Sequence, residues 1–156
     1  MKVKLITIGK TDANYLNEGI HIYLDRLKHY ISFEIIMIND VKTGVKPNVA
    51  VQKDKEGKLF LSKFQSNDFV VLLDEKGKSF TSVEYADFFQ KRMNASQDLI
   101  FLIGGPFGFS KEIYDRANEK ISLSKMTFSH QMVRLFFVEQ LYRAFTIIKG
   151  EKYHNT

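Results

Sequence analysis

The chain of 156 residues contains no cysteine and no tryptophan. Without cysteine there is no disulfide, no thiolate metal site and no cysteine nucleophile, so the fold must rest on packing and any chemistry on other side chains. No apolar run approaches the roughly 18 residues that span a bilayer. Met1-Lys2-Val3-Lys4-Leu5 enters a strand-like pattern at once, without the apolar stretch of a leader. A soluble, cytoplasmic protein with no membrane partner is therefore expected. Also missing are a phosphate loop of the form G-x-x-x-x-G-K-[ST] and a G-x-G-x-x-G dinucleotide fingerprint. None of the four histidines, His21, His29, His130 and His154, stands at metal-ligand spacing from another ligand, so no metal is expected. The sequence offers no convincing nucleophile–base triad and no glycosidase carboxylate pair.

What is present is ordinary for a globular protein: 44% hydrophobic and 26% charged residues. A domain of about 150 residues buries roughly 70% of its unfolded surface, enough for one core without staples. A single domain over residues 1–156 is expected. The net charge of +5 favours polyanions through counterion release, although many basic proteins bind no nucleic acid.

Strand and helix patterns alternate along the whole chain. Val3 to Ile8 reads as a strand before the turn at Gly9. Leu16, Ile20, Tyr23, Leu24 and Leu27 recur at three- and four-residue steps, one face of an amphipathic helix. Phe33 to Ile38 is a second strand. Lys42 to Asn48 reads as a loop, with Pro47 suited to the first turn of a lysine-rich helix from about Asn48 to Phe64. Gly57 weakens the middle of that helix. The unbroken run Phe69 to Leu73 fits a strand covered on both faces, and Asp74 to Lys78 reads as the turn after it. Thr81 and Glu84 have capping-box spacing for a helix to about Met93. Leu99 to Ile103 is another buried strand, followed by Gly104-Gly105-Pro106-Phe107-Gly108. Ser110 caps a short helix to about Glu119, Ile121 to Leu123 is a short strand, and Ser129 caps a long helix that Gly150 ends. Alternation of this kind implies an α/β layer fold with a mostly parallel sheet.

The last helix carries apolar residues on almost every side, from Met132 through Phe136, Phe137 and Tyr142 to Ile148. Such a helix must be covered all round. A homodimer through this helix is the expected solution, and a central helix in a monomer is the competing one. Arg134, Glu139 and Arg143 interrupt it, which suits either an intersubunit or site-lining role or a plain salt bridge. The glycine turn at 104–108 is either a ligand cradle or a tight strand-to-helix turn. Lys125 reads as a solvated lysine and His154 as part of a polar end. Asp74 follows a central strand, where ligands gather in α/β sheets, or is a turn residue. Lys53, Lys55 and Lys58 fit a solvated helix face better than a phosphate-binding one. The residues by themselves reach a basic, ligand-binding α/β domain. A ribosome-associated binding factor without catalysis and a nucleotide-binding enzyme both stay open at that point.

Five segments taken together go further: Leu73-Asp74 with Lys76-Gly77-Lys78; Ile103 to Gly108; Leu123-Ser124-Lys125-Met126-Thr127-Phe128 with His130; Val138 to Ala144; and Tyr153-His154. In this order and over nearly the whole chain they resemble the RlmH (YbeA-like) family, a minimal branch of the SPOUT methyltransferases. Ser129, Phe107 and the final Asn155-Thr156 depart from that pattern. The resemblance implies a Rossmann-like α/β fold with a C-terminal trefoil knot, a homodimer, and S-adenosyl-L-methionine as methyl donor. It implies as substrate a pseudouridine of 23S rRNA, methylated at N3 within the 70S ribosome. Leu73, Gly104 and Gly105 would line the donor pocket, and Leu123, Ser124, Lys125, Met126, Thr127 and Phe128 would wrap the adenine. Tyr153, His154 and Arg143 match the functional tail and the helix arginine. Histidine exchanges protons near neutral pH, so His154 is the expected general base. Tyr153 is expected to hold the target base and Arg143 to grip a phosphate or the developing anion. One subunit's tail is expected beside the other subunit's donor.

Overall fold

The computed structural model describes residues 1–155 apart from 42, 43, 45 and 47. The expected placement of Pro47 in a helical first turn, and the terminal Thr156, lie outside the described residues. Ten elements alternate: β1 (Lys2–Ile8), α1 (Asn14–Leu27), β2 (Ser32–Ile38), α2 (Val49–Leu61), β3 (Phe69–Ser79), α3 (Ser82–Met93), β4 (Leu99–Ile103), α4 (Lys111–Arg116), β5 (Glu119–Ser122) and α5 (Met132–Ile148). The five strands form one sheet in the order β2-β1-β4-β3-β5, and every pairing is parallel. The expected α/β architecture is therefore present, with a sheet wholly rather than mostly parallel.

Side chains alternate across a strand, and here both faces are covered. Val3, Leu5, Val71, Leu99, Phe101 and Ile121 point to one side and pack on Phe89 of α3 and Phe137, Val138, Leu141 and Phe145 of α5. Ile6, Ile8, Val70, Leu72, Ile100 and Leu102 point to the other and meet Phe60 of α2 and Ile113 of α4. In β1 buried and more open positions alternate only at its start, and from Leu5 to Ile8 every residue, Thr7 included, is buried. On the first face α5 lies between α1 and α3. Gly19 permits that approach, since a Cβ there would stand 3.0 Å from Leu135.

Local signals set most element ends. Thr81 and Glu84 form the capping box reciprocally. Ser129 Oγ accepts from the Met132 N–H at 3.0 Å, the role expected of it, although α5 proper begins at Met132. Gly150, at φ +70°, ends α5. Its N–H reaches Ile147 O, and Glu151 N–H reaches Thr146 O, the paired bonds of a Schellman motif. Asn48 caps α2, and Gly57 inside it is explained by contact: a Cβ there would lie 2.5 Å from Ser110 Oγ.

Three sequence boundaries are corrected. Residues 74–78 are not a turn after β3 but part of it: 74–77 form a bulge, and pairing with β5 resumes at Lys78↔Ile121 after a register shift. The helix capped by Ser110 stops at Arg116, not Glu119, and β5 starts at Glu119 rather than Ile121. Asn118 causes this early stop. Its side chain accepts from Val70 N–H and its own N–H donates to Val70 O, both at 2.8 Å, which draws the chain into the sheet.

Candidate active site

Register brings three loops to one edge. Leu73 of β3 pairs with Ile103 at the end of β4 and with Ile121 near the end of β5, so the bulge of β3 and the loops that follow β4 and β5 begin side by side. In parallel sheets this carboxyl end is where ligands bind. The loops enclose a pocket of about 560 Å³, within the usual range for a small-molecule site. Its lining includes Leu73, Gly104, Leu123, Ser124, Met126, Thr127 and Phe128, together with Ile103, Pro106 and the start of α5 at His130 and Val133. Seven of the nine residues expected around the donor thus share one cavity. The other two stand elsewhere: Lys125 is exposed outside the lining, and Gly105 faces away, towards α2.

The glycine turn is both things the sequence left open, a tight turn and a pocket wall. Gly108 N–H donates to Gly105 O at 3.1 Å, with Gly108 at φ +82°. A Cβ on Gly104 would meet Gly108 at 3.3 Å, and one on Gly105 would meet the Glu56 carboxylate at 2.9 Å. Glu56 is only 2% exposed, and burial raises its pKa above the ordinary value, against a weaker lowering by Gln52. Its one hydrogen bond among the described residues is a long one from Gln52 Nε2, 3.5 Å. The turn therefore rests on a buried carboxyl group.

Side-chain bonds brace the other two loops. Tyr114 OH donates to Asp74 at 2.7 Å, and Thr127 Oγ1 donates to Glu75. Partial burial and the bond to Asp74 push the Tyr114 phenol up to about 12, so it stays a donor at neutral pH. Met126 N–H donates to Ser124 Oγ, and Ser122 Oγ donates to Ser124 O. Asp74 and Glu75 put two carboxylates into the lining against one lysine, Lys76. Among the described residues no group of three His, Asp or Glu side chains is placed to hold a metal.

Tyr153, His154 and Arg143 come together, but not in that pocket. Arg143 and Tyr153 gather on Glu139 of α5, and His154 joins them through Arg143. Arg143 Nε and Nη2 donate to Glu139 Oε1 at 3.1 and 2.6 Å, and Tyr153 OH donates to the same oxygen at 2.9 Å. The Arg143 guanidinium lies over the Tyr153 ring, 4.7 Å from its centre. Tyr153 packs edge-on against Tyr142 at 4.7 Å, and its hydroxyl lies 3.4 Å from that of Tyr23. Burial, then these bonds to Tyr23 and Glu139, hold the Tyr153 phenol well above its usual range. Arg143 Nη1 and His154 Nδ1 are 3.2 Å apart. Guanidinium has no acceptor, so arginine donates and Nδ1 accepts, leaving Nε2 to carry the proton of a neutral ring. Residues that composition alone would treat as a loose end are thus packed. The Schellman turn sends the chain back along α5, and Tyr30 OH anchors it at Glu151, 2.6 Å.

Arg134 fits neither role expected for it. At 2% exposure it donates to Ile8 O, Gly9 O, Thr11 Oγ1 and His130 O, satisfying the backbone at the end of β1. Glu56 and Tyr23 carry no sequence signal that marks them as site residues, and Glu139 stands out only as an interruption of the helix. The i,i+4 spacing of Glu139 and Arg143 is a readable signal for their pairing. Glu56 offers none.

The family described as "Predicted SPOUT methyltransferase" matches residues 1–154. A protein of Christiangramia forsetii named "Ribosomal RNA large subunit methyltransferase H" is 60% identical over 99% of this chain and 99% of its own. Proteins of the same name from Cytophaga hutchinsonii and Parabacteroides distasonis are 57% and 54% identical over 99% of this chain, covering 100% and 99% of their own lengths.

Proposed function

The chain belongs to the SPOUT methyltransferase family, whose Rossmann-like α/β fold its all-parallel sheet matches, and from that premise we propose that it methylates ribosomal RNA of the large subunit. The finer reading is transfer from S-adenosylmethionine to N3 of a pseudouridine in 23S rRNA, on the assembled 70S ribosome, by a cytoplasmic homodimer. One observation supports the donor assignment: the bulge of β3 and the loops after β4 and β5, one of them a glycine turn where a Cβ on Gly104 would be tight against Gly108 at 3.3 Å, surround a single pocket of about 560 Å³.

The pocket fits such a donor in size and chemistry. Leu73, Ile103, Leu123 and Phe128 offer apolar walls to an adenine, and the loop backbone offers polar groups. Asp74 and Glu75 complement a cationic ligand. The donor supplies an already activated methyl group, so no metal is required. What remains for the protein is to align N3, which contributes about 7–11 kcal/mol through proximity, and to remove the N3 proton.

The tail does the second task in this reading. Tyr153, held protonated, donates and stacks, while Arg143 meets a phosphate. His154 is the base, and its Nδ1 lone pair is engaged by Arg143. A phosphate that draws Arg143 Nη1 away frees Nδ1 to take the proton, so binding and deprotonation are coupled. Pocket and tail meet between subunits. The pocket reaches Val133 and the cluster spans Glu139 to Arg143, six to ten residues or about 9–15 Å further along α5. The uncovered side of α5 and its neighbours supports that pairing: Phe136 is 41% exposed, stacked on Phe128, and Met126 is 77% exposed.

Calorimetric titration with S-adenosylmethionine tests the donor. Micromolar binding is expected for the wild type and none for Gly104→Val. Primer extension on 23S rRNA, from ribosomes incubated with protein and donor, then reads the modified position. Absence of donor binding, or of any new stop, refutes the reading in favour of a non-catalytic RNA-binding factor.

A further inference from the structure

The bulge in β3 builds a second groove that opens into the donor pocket. Gly77 is pressed onto the edge strand β5: a Cβ there would lie 2.6 Å from the Lys120 carbonyl carbon and 2.7 Å from Ile121 N. That close approach fixes the bulge and presents Lys76 and Lys78, on either side of Gly77, beside Lys120. The three lysines line a groove of about 410 Å³ together with Tyr114 and Asn118. All three are exposed, and among the described residues none lies within ion-pair distance of a carboxylate. Glu119 is the one acidic residue in the lining. The ammonium groups of Lys78 and Lys120 sit over the rings of Phe80 and Tyr114, at 5.1 and 5.6 Å, so each cation is placed by an aromatic face rather than by a carboxylate. Lys76 and Tyr114 also line the donor pocket, which makes the two depressions continuous.

We propose that this groove holds the phosphodiester backbone of the RNA strand adjoining the target nucleotide. The inference rests on the reading of the chain as an RNA methyltransferase and adds where the strand lies. Ammonium groups without carboxylate partners are suited to phosphates, whose contacts position a strand without reading its sequence. Tyr114, 41% exposed, adds a ring against which a flanking base can stack. A strand along the edge of β5 passes directly into the cavity that presents the methyl group. Lys53, Lys55 and Lys58 line neither depression and are left as a solvated helix face.

The test compares two triple variants of the full chain acting on 70S ribosomes at several salt concentrations. Replacing Lys76, Lys78 and Lys120 by Gln is expected to raise KM for ribosomes about tenfold. It should also flatten the dependence of log affinity on log salt by about one for each phosphate that is no longer neutralised. Lys76 also lines the donor pocket, so the titration with S-adenosylmethionine is made on the Lys78→Gln, Lys120→Gln double variant, which should keep the wild-type affinity. Replacing Lys53, Lys55 and Lys58 by Gln should leave both KM and salt slope near wild type. A groove variant whose KM and slope coincide with those of the second triple overturns the groove while leaving the enzyme intact. A wild-type chain that binds no S-adenosylmethionine overturns the enzymatic reading and the groove with it.

Discussion

The pocket proposed for the donor and the tail cluster both adjoin α5 and are built in opposite ways. The pocket is a matter of backbone: three loops whose glycines and turns fix where the main chain runs, braced by Tyr114–Asp74 and Thr127–Glu75. The tail is a matter of side chains: Arg143, Tyr153, His154 and Tyr23 arranged around one carboxylate, Glu139. One chain encloses the pocket, whereas the tail residues satisfy one another and stand outside that cavity. A site divided in this way separates binding from turnover. Changes at the loops should act on donor affinity, and changes at the tail on the chemical step.

The largest effect that would sharpen this division is expected from His154→Ala. Loss of a general base typically costs 10²–10⁴-fold in rate. Ribosome methylation should fall by about that factor in a single-turnover assay, with calorimetric donor affinity unchanged. Equal losses of affinity and turnover would break the comparison, because the tail would then be part of the pocket.

Next comes a test of whether the two regions meet across a dimer. Gly104→Val blocks the pocket and His154→Ala disables the tail, so each homodimer should be inactive. Refolded together, half of the dimers are mixed and each holds one intact site, provided the pocket of one chain works with the tail of the other. About a quarter of wild-type activity should return. No recovery, in a mixture shown to exchange subunits, places both regions of each site in one chain.

Sequence legibility follows the same line. Ends set by local chemistry are readable, as at the Thr81–Glu84 capping box, Ser129, Gly150 and the run Leu99 to Ile103. The bulge at 74–77 is not, because polar residues and a glycine look like a turn, and the cause is the backbone of β5, more than forty residues later. Arg134 misleads for a similar reason, since its partners are carbonyl oxygens at the end of β1, and carbonyls carry no sequence signature. The glycine turn suggests a ligand from the residues alone. The tail comes only through the family resemblance, and nothing in its composition shows that Tyr153 finds Glu139.

The smallest expected effect concerns Glu56, which belongs to the pocket side although it stands outside the lining. Its carboxyl group lies directly behind Gly105, and the next residue of α2 presses on Ser110 at the far end of the same loop. A shape-only role and a polar role differ in which replacement is tolerated. Glu56→Gln keeps volume and hydrogen-bonding capacity and should bind S-adenosylmethionine as wild type does, while Glu56→Met keeps only volume. If the polar group holds the turn, Met should weaken donor binding about tenfold, or 1.4 kcal/mol, with turnover at saturating donor little changed. Stability gives an independent reading. Burial raises this carboxyl's pKa above 4.5 in the folded chain, so the folded state keeps its proton to higher pH than the unfolded state does. The contribution is therefore complete on the acid side of 4.5 and is lost as pH rises through the raised folded value. The melting temperature of wild type minus that of Glu56→Gln should decline across that window and then level off. Parallel melting curves at every pH, with Met binding the donor as tightly as Gln, would reduce Glu56 to a filler of space and leave the glycine turn to hold itself.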